Sequence, residues 1–313
     1  MQANNAPRGY GLLLTVLAAL WGASYLFIKV GDRGFEPTTM MLVRLLVALL
    51  ILLGFLAVRG ELPALRRAPR GAYALGLVNA AVPFTLIAWG ERHVDSGTAA
   101  VVNSGVPLFV ALLAPFVAHG ERVIGLRLAG LLLGLGGVAW LVGLHPHSSP
   151  WFLAGSAAIV VATFSYALGS LYGQRLVAGV SGPVLATTAY LCAAAVLAPA
   201  GIAQAPHRWP GWKPTAAVLA LALIGTAVAQ LLWFRLLASH GSSRSTLVSY
   251  LIPAFAIVYG ALFLHEPLGL AKLGGFALIV VGILVASGGR TSVPATVERR
   301  FPDSSPRTHP NRS

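Results

Sequence analysis

The sequence predicts an all-α integral membrane protein of ten transmembrane helices, arranged as two inverted five-helix repeats. Three observations carry this reading. Charged residues make up only 10% of the 313-residue chain, against about 25% in a typical soluble domain. Residues 71–90, 96–120, 128–174, 176–207, 214–234 and 245–264 contain no Asp, Glu, Lys or Arg, and about 20 apolar residues cross a bilayer as a helix. Several positions also recur in the two halves at a common spacing. Together these exclude a disordered chain, a coiled coil and an ordinary soluble enzyme.

The spans are read, in order, at 10–30, 38–58, 71–91, 97–118, 127–144, 151–172, 183–203, 214–235, 245–264 and 270–288. The first follows Arg8 and has no cleavage site after it, so it reads as a retained helix rather than a signal peptide. The charge-free run 128–174 is too long for one span. His145-Pro146-His147-Ser148-Ser149-Pro150 cuts it, a breaker-rich loop. The run 176–207 holds one span between Gly182-Pro183 and Pro206. Residues 1–9 form a polar N-terminus. Residues 289–313, with Arg290, Arg299, Arg300, Arg307 and Arg312, read as a disordered basic tail.

Orientation follows from the basic residues. The side of the termini holds Arg8, Arg59, Arg66, Arg67, Arg70, Arg122, Arg127, Arg175, Arg235, Arg244 and the five tail arginines. The other side holds only Arg33, Arg92, Arg208, Lys213 and Lys272. The positive-inside rule puts both termini in the cytoplasm. The net charge of +13 is accounted for by this topology, and no basic domain outside the spans remains to grip nucleic acid.

The two halves resemble each other. Ala99, Val102, Pro107 and Phe109 are matched by Ser245, Val248, Pro253 and Phe255, 146 positions on. One residue later in register, Glu121, Arg127, Gly130 and Gly137 are matched by Glu266, Lys272, Gly275 and Gly282. Ser24-Tyr25 is echoed by Ser165-Tyr166. The repeats are read over 10–144 and 151–288. Five spans in each repeat insert the second copy upside down, an architecture of secondary transporters, whose substrate site lies near mid-membrane between the halves.

Over residues 10–288 the chain resembles the EamA-type members of the drug/metabolite transporter superfamily. The resemblance rests on Trp21-Gly22-Ala23-Ser24-Tyr25, on Pro37 with Arg44-Leu45-Leu46, and on Pro107/Glu121/Gly130/Gly137 repeated as Pro253/Glu266/Gly275/Gly282. It implies ten helices in two inverted repeats, and export or exchange of small metabolites such as amino acids.

Lys29 and Arg44 are the basic residues inside spans. A charge in hydrocarbon costs several kcal/mol unless it faces a cavity, a partner or the interface. Arg44 lies about 10 Å below the outer end of its helix at 1.5 Å per residue. It is read as an anchor for a substrate carboxylate or phosphate, which guanidinium holds with two parallel bonds. Snorkelling, or pairing with Asp32, Glu36, Glu91 or Asp95, is the alternative. Lys29, nearer its helix end, is a weaker candidate for the same role. Trp21, Tyr25 and Tyr190 are deep aromatic walls for a substrate cavity. Asn79, Asn103 and Gln230 are amides at depth that must face the bundle or a ligand. Pro83, Pro107 and Pro253 each remove a helix hydrogen bond and are candidate hinges. No Asp or Glu lies in the middle of a span, which predicts uncoupled facilitation or exchange. Glu91, at the outer end of the third span, is the candidate coupling residue.

The lone Cys192 excludes a disulfide framework and a cysteine metal cluster. No HExxH, G-x-S-x-G or G-x-x-x-x-G-K-[ST] occurs, and neither cofactor nor metal is expected. Gly130-Leu131-Leu132-Leu133-Gly134 is a close-approach face, serving either packing within the chain or a homodimer. The expected partners are a small-molecule substrate and the lipid bilayer. A secondary transporter of small metabolites, amino acids or related carboxylates foremost, in the cytoplasmic membrane is the favoured reading. A non-catalytic membrane scaffold would have no reason for paired prolines and mid-span amides. An intramembrane enzyme on lipid-linked substrates would need a converged acid, base or metal cluster.

Overall fold

The computed structural model describes residues 9–117, 124–143, 149–176, 180–245 and 247–288. The basic N-terminus and tail, Glu121 and Arg122, and the 144–148 part of the breaker loop lie outside the described residues. The described residues are helical, without strands.

In chain order the helices are α1 (Tyr10–Gly31), α2 (Pro37–Val58), a single turn α3 (Leu62–Leu65), α4 (Arg70–Gly76) and α5 (Val82–Gly90). They continue as α6 (Ser96–Asn103), α7 (Val106–Val117), α8 (Leu126–Gly143), α9 (Pro150–Leu176) and α10 (Gly182–Ala203). The last four are α11 (Trp212–Ala222), α12 (Ala229–Ser245), α13 (Val248–Leu264) and α14 (Leu270–Gly288). Among the described residues, seven helical segments are long and apolar enough to cross a membrane, and the apolar stretches Leu126–Leu141, Val248–Leu264 and Leu270–Ala286 are shorter.

Two spans are not the plain helices expected. The segment read as 71–91 is α4 and α5 joined by a π-turn over Leu77–Ala81, and α11 joins α12 through a π-turn over Leu223–Val228. These π-turns begin 146 positions apart, the spacing that separates Pro107 from Pro253. The segment read as 97–118 is broken after Asn103. There the Ser104 hydroxyl donates to Val101 O at 2.6 Å and the Gly105 N–H to Val102 O at 3.1 Å.

Helix starts follow local chemistry. Pro37 and Pro183 stand in the first turns of α2 and α10, where a missing N–H costs nothing. At the far end of α13, His265 adopts a left-handed conformation (φ 57°), and the Glu266 N–H returns to Gly260 O at 3.1 Å. This 6→1 closure aims Glu266 back at α6.

The packing interleaves the two halves. α1 lies along α13, α2 along α10, α5 and α7 along α9, and α8 along α14. The α8–α14 crossing brings backbones into contact. A Cβ on Gly130 would stand 2.4 Å from the Ala286 nitrogen, and one on Gly282 would stand 2.5 Å from the Gly134 nitrogen. The close-approach face is therefore used within the chain. The main core includes Tyr25, Met40, Met41, Leu45, Phe84, Ile159, Tyr190 and Leu221. A separate cluster of Leu14, Leu17, Ala18, Ala229, Leu236 and Val248 joins α1 to α12 and α13.

The two ends of the bundle differ. At one, called here the carboxylate end, Arg92 binds Asp32 at 2.5 Å and Glu36 at 2.7 Å. Beside it Lys272 binds Asp95 at 3.3 Å and stands 3.7 Å from Glu266. Glu266 accepts the backbone N–H groups of Ser96 at 2.8 Å and Gly97 at 3.2 Å, so it caps α6 from the other half of the chain. At the opposite end, rich in arginine, Arg59 and the Ser181 hydroxyl bind Glu61 at 2.7 and 2.8 Å. Arg59 foremost, with Ser181, holds that exposed carboxyl below its ordinary range.

Candidate functional site

Arg44 projects from the second turn of α2 into the core and is 7% exposed. Its Nε donates to Thr226 Oγ1 at 2.7 Å, and its Nη1 meets Met41 Sδ at 3.7 Å. Its guanidinium carbon stands 3.7 Å from the centroid of the Phe84 ring, a cation–π contact worth about 2 kcal/mol when desolvated. Phe84 lies 6.4 Å from both Tyr166 and Tyr190, ring centre to ring centre. Tyr25, also buried, completes the surroundings.

No carboxylate pairs with Arg44 among the described residues. The four acids expected as its alternative partners are elsewhere: Asp32 and Glu36 are on Arg92, Asp95 is on Lys272, and both Glu91 oxygens lack a hydrogen-bond partner. Arg44 is thus a buried cation held by a hydroxyl, a sulfur and a ring.

The second π-turn explains the hydroxyl. In the wider turn Thr226 Oγ1 donates to Leu221 O, five residues back, at 2.8 Å, while accepting from Arg44. Such turns recur at functional sites because they free backbone groups and reset side-chain direction. The first π-turn is held differently. The Ser165 hydroxyl donates to Val78 O at 2.7 Å, and the Thr226-equivalent position, 146 residues earlier, is Ala80.

Two further polar strings line the interior. Asn103 Nδ2 donates to the Tyr25 hydroxyl at 2.8 Å, and Thr163 donates to Asn103 Oδ1 at 3.3 Å. The Tyr190 hydroxyl donates to Gln230 Oε1 at 3.2 Å. Asn103 and Gln230 are therefore partnered, as amides at depth must be.

Other sequence candidates lie elsewhere. Trp21 belongs to the α1–α12–α13 cluster, its ring centre 5.6 Å from that of Trp233 with the planes tilted by 47°. Lys29 donates to the backbone oxygens of Glu91 and, at 2.8 Å, of Val94, which ties α1 to the turn between α5 and α6. Asn79 is exposed rather than buried, with its side chain against Gly169. Its place on the outward side of the π-turn could not be read from hydropathy. The prolines differ too. Pro83 opens α5 after the π-turn, and Pro107 opens α7 after the break, so both sit where a missing N–H is tolerated. Pro253 lies inside an unbroken α13. Phe84 and Thr226 were not foreseen. The spacing of 146 would have flagged Phe84 as the counterpart of Gln230.

A cavity of about 420 Å³ opens at the carboxylate end between α2, α5 and the end of α10. Glu36, Thr85, Trp89, Arg92 and Gln204 line it. Its wall includes Pro37, seven residues before Arg44 on α2, or about 10 Å along a helix.

The EamA-like transporter family matches residues 9–143 and again 153–288. An uncharacterized inner membrane transporter of Escherichia coli (strain K12) is 30% identical, over 90% of this chain and 92% of its own. A Streptantibioticus cattleyicolor protein named "Probable terminal-alkyne amino-acid exporter" is 30% identical, over 93% of this chain and 98% of its own. An Escherichia coli (strain K12) protein named "Probable amino-acid metabolite efflux pump" is 24% identical, over 89% and 94%. A solved crystal structure superposes with a TM-score of 0.64 at 22% identity, over 90% of this chain and 97% of that one. That likeness concerns the fold alone.

Proposed function

From the premise that this chain belongs to the EamA-like transporter family, we propose that it is a secondary transporter of small carboxylate-bearing metabolites, amino acids foremost. It works by alternating access across the cytoplasmic membrane, in export or exchange. The single observation that carries the substrate class is Arg44, a buried guanidinium with no carboxylate partner among the described residues. An unpaired buried cation costs several kcal/mol. A substrate carboxylate offsets that cost and engages the fork of N–H donors. Two relatives named for amino-acid export support the same class.

The proposed architecture is ten spans in two inverted repeats, 10–144 and 151–288. It is supported by the recurrence of the π-turn at the 146-residue spacing and by the interleaved helix pairs. Charge bias supports placing the arginine-rich end and both termini in the cytoplasm. The carboxylate end, with its cavity, then faces outward and serves as the exit from the Arg44 site. Tyr25, Asn103, Tyr190 and Gln230 form the neutral walls of that site. Pro83 and Pro107, at the ends of helical segments, are the better hinges, since a break already interrupts the helix there.

Counterflow in proteoliposomes tests the reading, with a panel of labelled amino acids and other small carboxylates. Preloaded vesicles should accumulate at least one of them. Arg44→Gln should abolish that accumulation, with expression and thermal midpoint retained. Normal affinity in Arg44→Gln would refute the anchor, and an inert panel with folded protein would refute the substrate class.

A further inference from the structure

We propose that Glu91 is a proton-binding site that is filled whenever the carboxylate end is sealed over it, as it is here, where the cavity beside Arg92 opens at the same end without exposing it. Every other acid described at that end has a cation or a helix terminus to hold it. Asp32 and Glu36 share Arg92, Asp95 takes Lys272, and Glu266 takes the start of α6 with Lys272 beside it. Glu91 is 0% exposed, and neither of its carboxyl oxygens has a hydrogen-bond partner among the described residues.

Four charged groups act on it through space. They are Lys29 from α1, Asp32 from the α1–α2 turn, Arg44 from α2, and Glu266 from the α13–α14 turn. Two of the four are acids and disfavour a negative charge. Lys29 and Arg44 favour the charge through space, but neither binds the carboxyl: Lys29 donates to the backbone oxygens of Glu91 and Val94 instead. Glu91 also follows the last residue of α5, where the helix dipole presents its negative end. A buried carboxylate without a partner is several kcal/mol less stable than its neutral acid. The closed end therefore carries a carboxylic acid here. A metal cation does not fit as well, because the Lys29 ammonium already occupies the two carbonyls that would ligate it.

Closure and protonation are then one linked event. When the end opens, water reaches Glu91, the O–H bond breaks and the proton leaves to solvent. On closing, one proton returns from that side. High pH at this face favours the open form and low pH the closed form. This deepens the transporter reading, which supplies the assignment of this face to the outside. It also turns the expected uncoupled carrier into one whose exit gate answers to external pH.

The test needs no substrate. Infrared spectra of the full chain in lipid nanodiscs should show a protonated-carboxyl band near neutral pH. Glu91→Gln, which keeps shape and volume, should delete it. Absence of that band in the wild-type protein overturns the proposal without any variant. Ser96→Cys, placed in a Cys192→Ser background, reports opening, because Ser96 is fully buried beneath the Glu266 cap. Its labelling by a maleimide, corrected for the thiolate fraction, should rise with pH. The rise should be roughly tenfold per unit of difference in proton affinity between closed and open forms. With Glu91→Gln added, labelling should stay low and lose that slope. An unchanged slope overturns the link. Failure here leaves the Arg44 counterflow experiment untouched, and failure of counterflow leaves the proton site standing.

Discussion

Arg44 and Phe84 lie 146 residues before Tyr190 and Gln230, so the two pairs hold matching places in the two halves of the chain. In the first half the pair is a guanidinium over a ring at 3.7 Å. In the second it is a phenol donating to an amide at 3.2 Å. Both pairs join α2 or α10 to the helix after a π-turn, and they lie near one another, with Phe84 bridging to Tyr190, and Gln230 half-buried. The scaffold is therefore repeated while the chemistry is not. One half presents an unneutralised charge, and the other presents a neutral pair satisfied within itself. A duplicated frame offers two equivalent niches, and a charge in one of them gives the cavity a polar direction. Two facing cations would repel across a few ångströms of low dielectric.

The asymmetry extends to the π-turns. Thr226 holds Arg44 in place, whereas its counterpart Ala80 holds nothing. Thr226→Ala makes the two turns alike and should have the largest effect on this comparison. Losing a hydrogen bond to a charged group costs about 1.5–3 kcal/mol, so the substrate dissociation constant should rise roughly 10- to 100-fold while the thermal midpoint moves little. Titration of the purified variant with the substrate found by counterflow checks this. Phe84→Leu keeps the apolar volume and removes the ring face. A loss of about 0.5–2 kcal/mol predicts an affinity drop of a few- to thirtyfold, and an unchanged affinity would make the ring mere packing. Tyr190→Phe should have the smallest effect. It breaks a neutral hydrogen bond worth about 1 kcal/mol, shared with an amide that can turn to water or ligand, so affinity should fall by less than tenfold. A larger loss than that of Thr226→Ala would invert the assignment of the two niches.

Much of the fold was legible in the residues. Charge-free runs mark where a helix crosses because burying an unpaired charge in hydrocarbon is costly, and those runs and the described helices agree in place. Arg44 stood out by the same argument, as a charge inside a run. The acids at the ends of runs were legible as a group, and their pairing was not. Arg92 and Lys272 take four of them between them, three through contacts that join residues 56 or more positions apart: Arg92 with Asp32 and Glu36, and Lys272 with Asp95. Asn79 and Trp21 were misplaced for a related reason. In a bilayer the lipid-facing and core-facing sides of a helix are both apolar, so hydropathy carries no amphipathic signal of which side turns inward.

By itself the sequence determined that this is a helical membrane protein, that its halves share a pattern, and that one arginine sits where no charge belongs. Composition and spacing suffice for those statements, because the cost of moving charge and backbone into lipid is local to each segment. Only the tertiary structure decided which acid was left over. Arg44 could have been neutralised by any of several carboxylates. The fold instead gives those carboxylates to Arg92 and Lys272, so that among the described residues Arg44 has no anion bound to it at the centre and the Glu91 carboxyl has no cation bound to it at the end. Pairing is a competition among groups distant in the chain, and its outcome is set by which helices pack side by side.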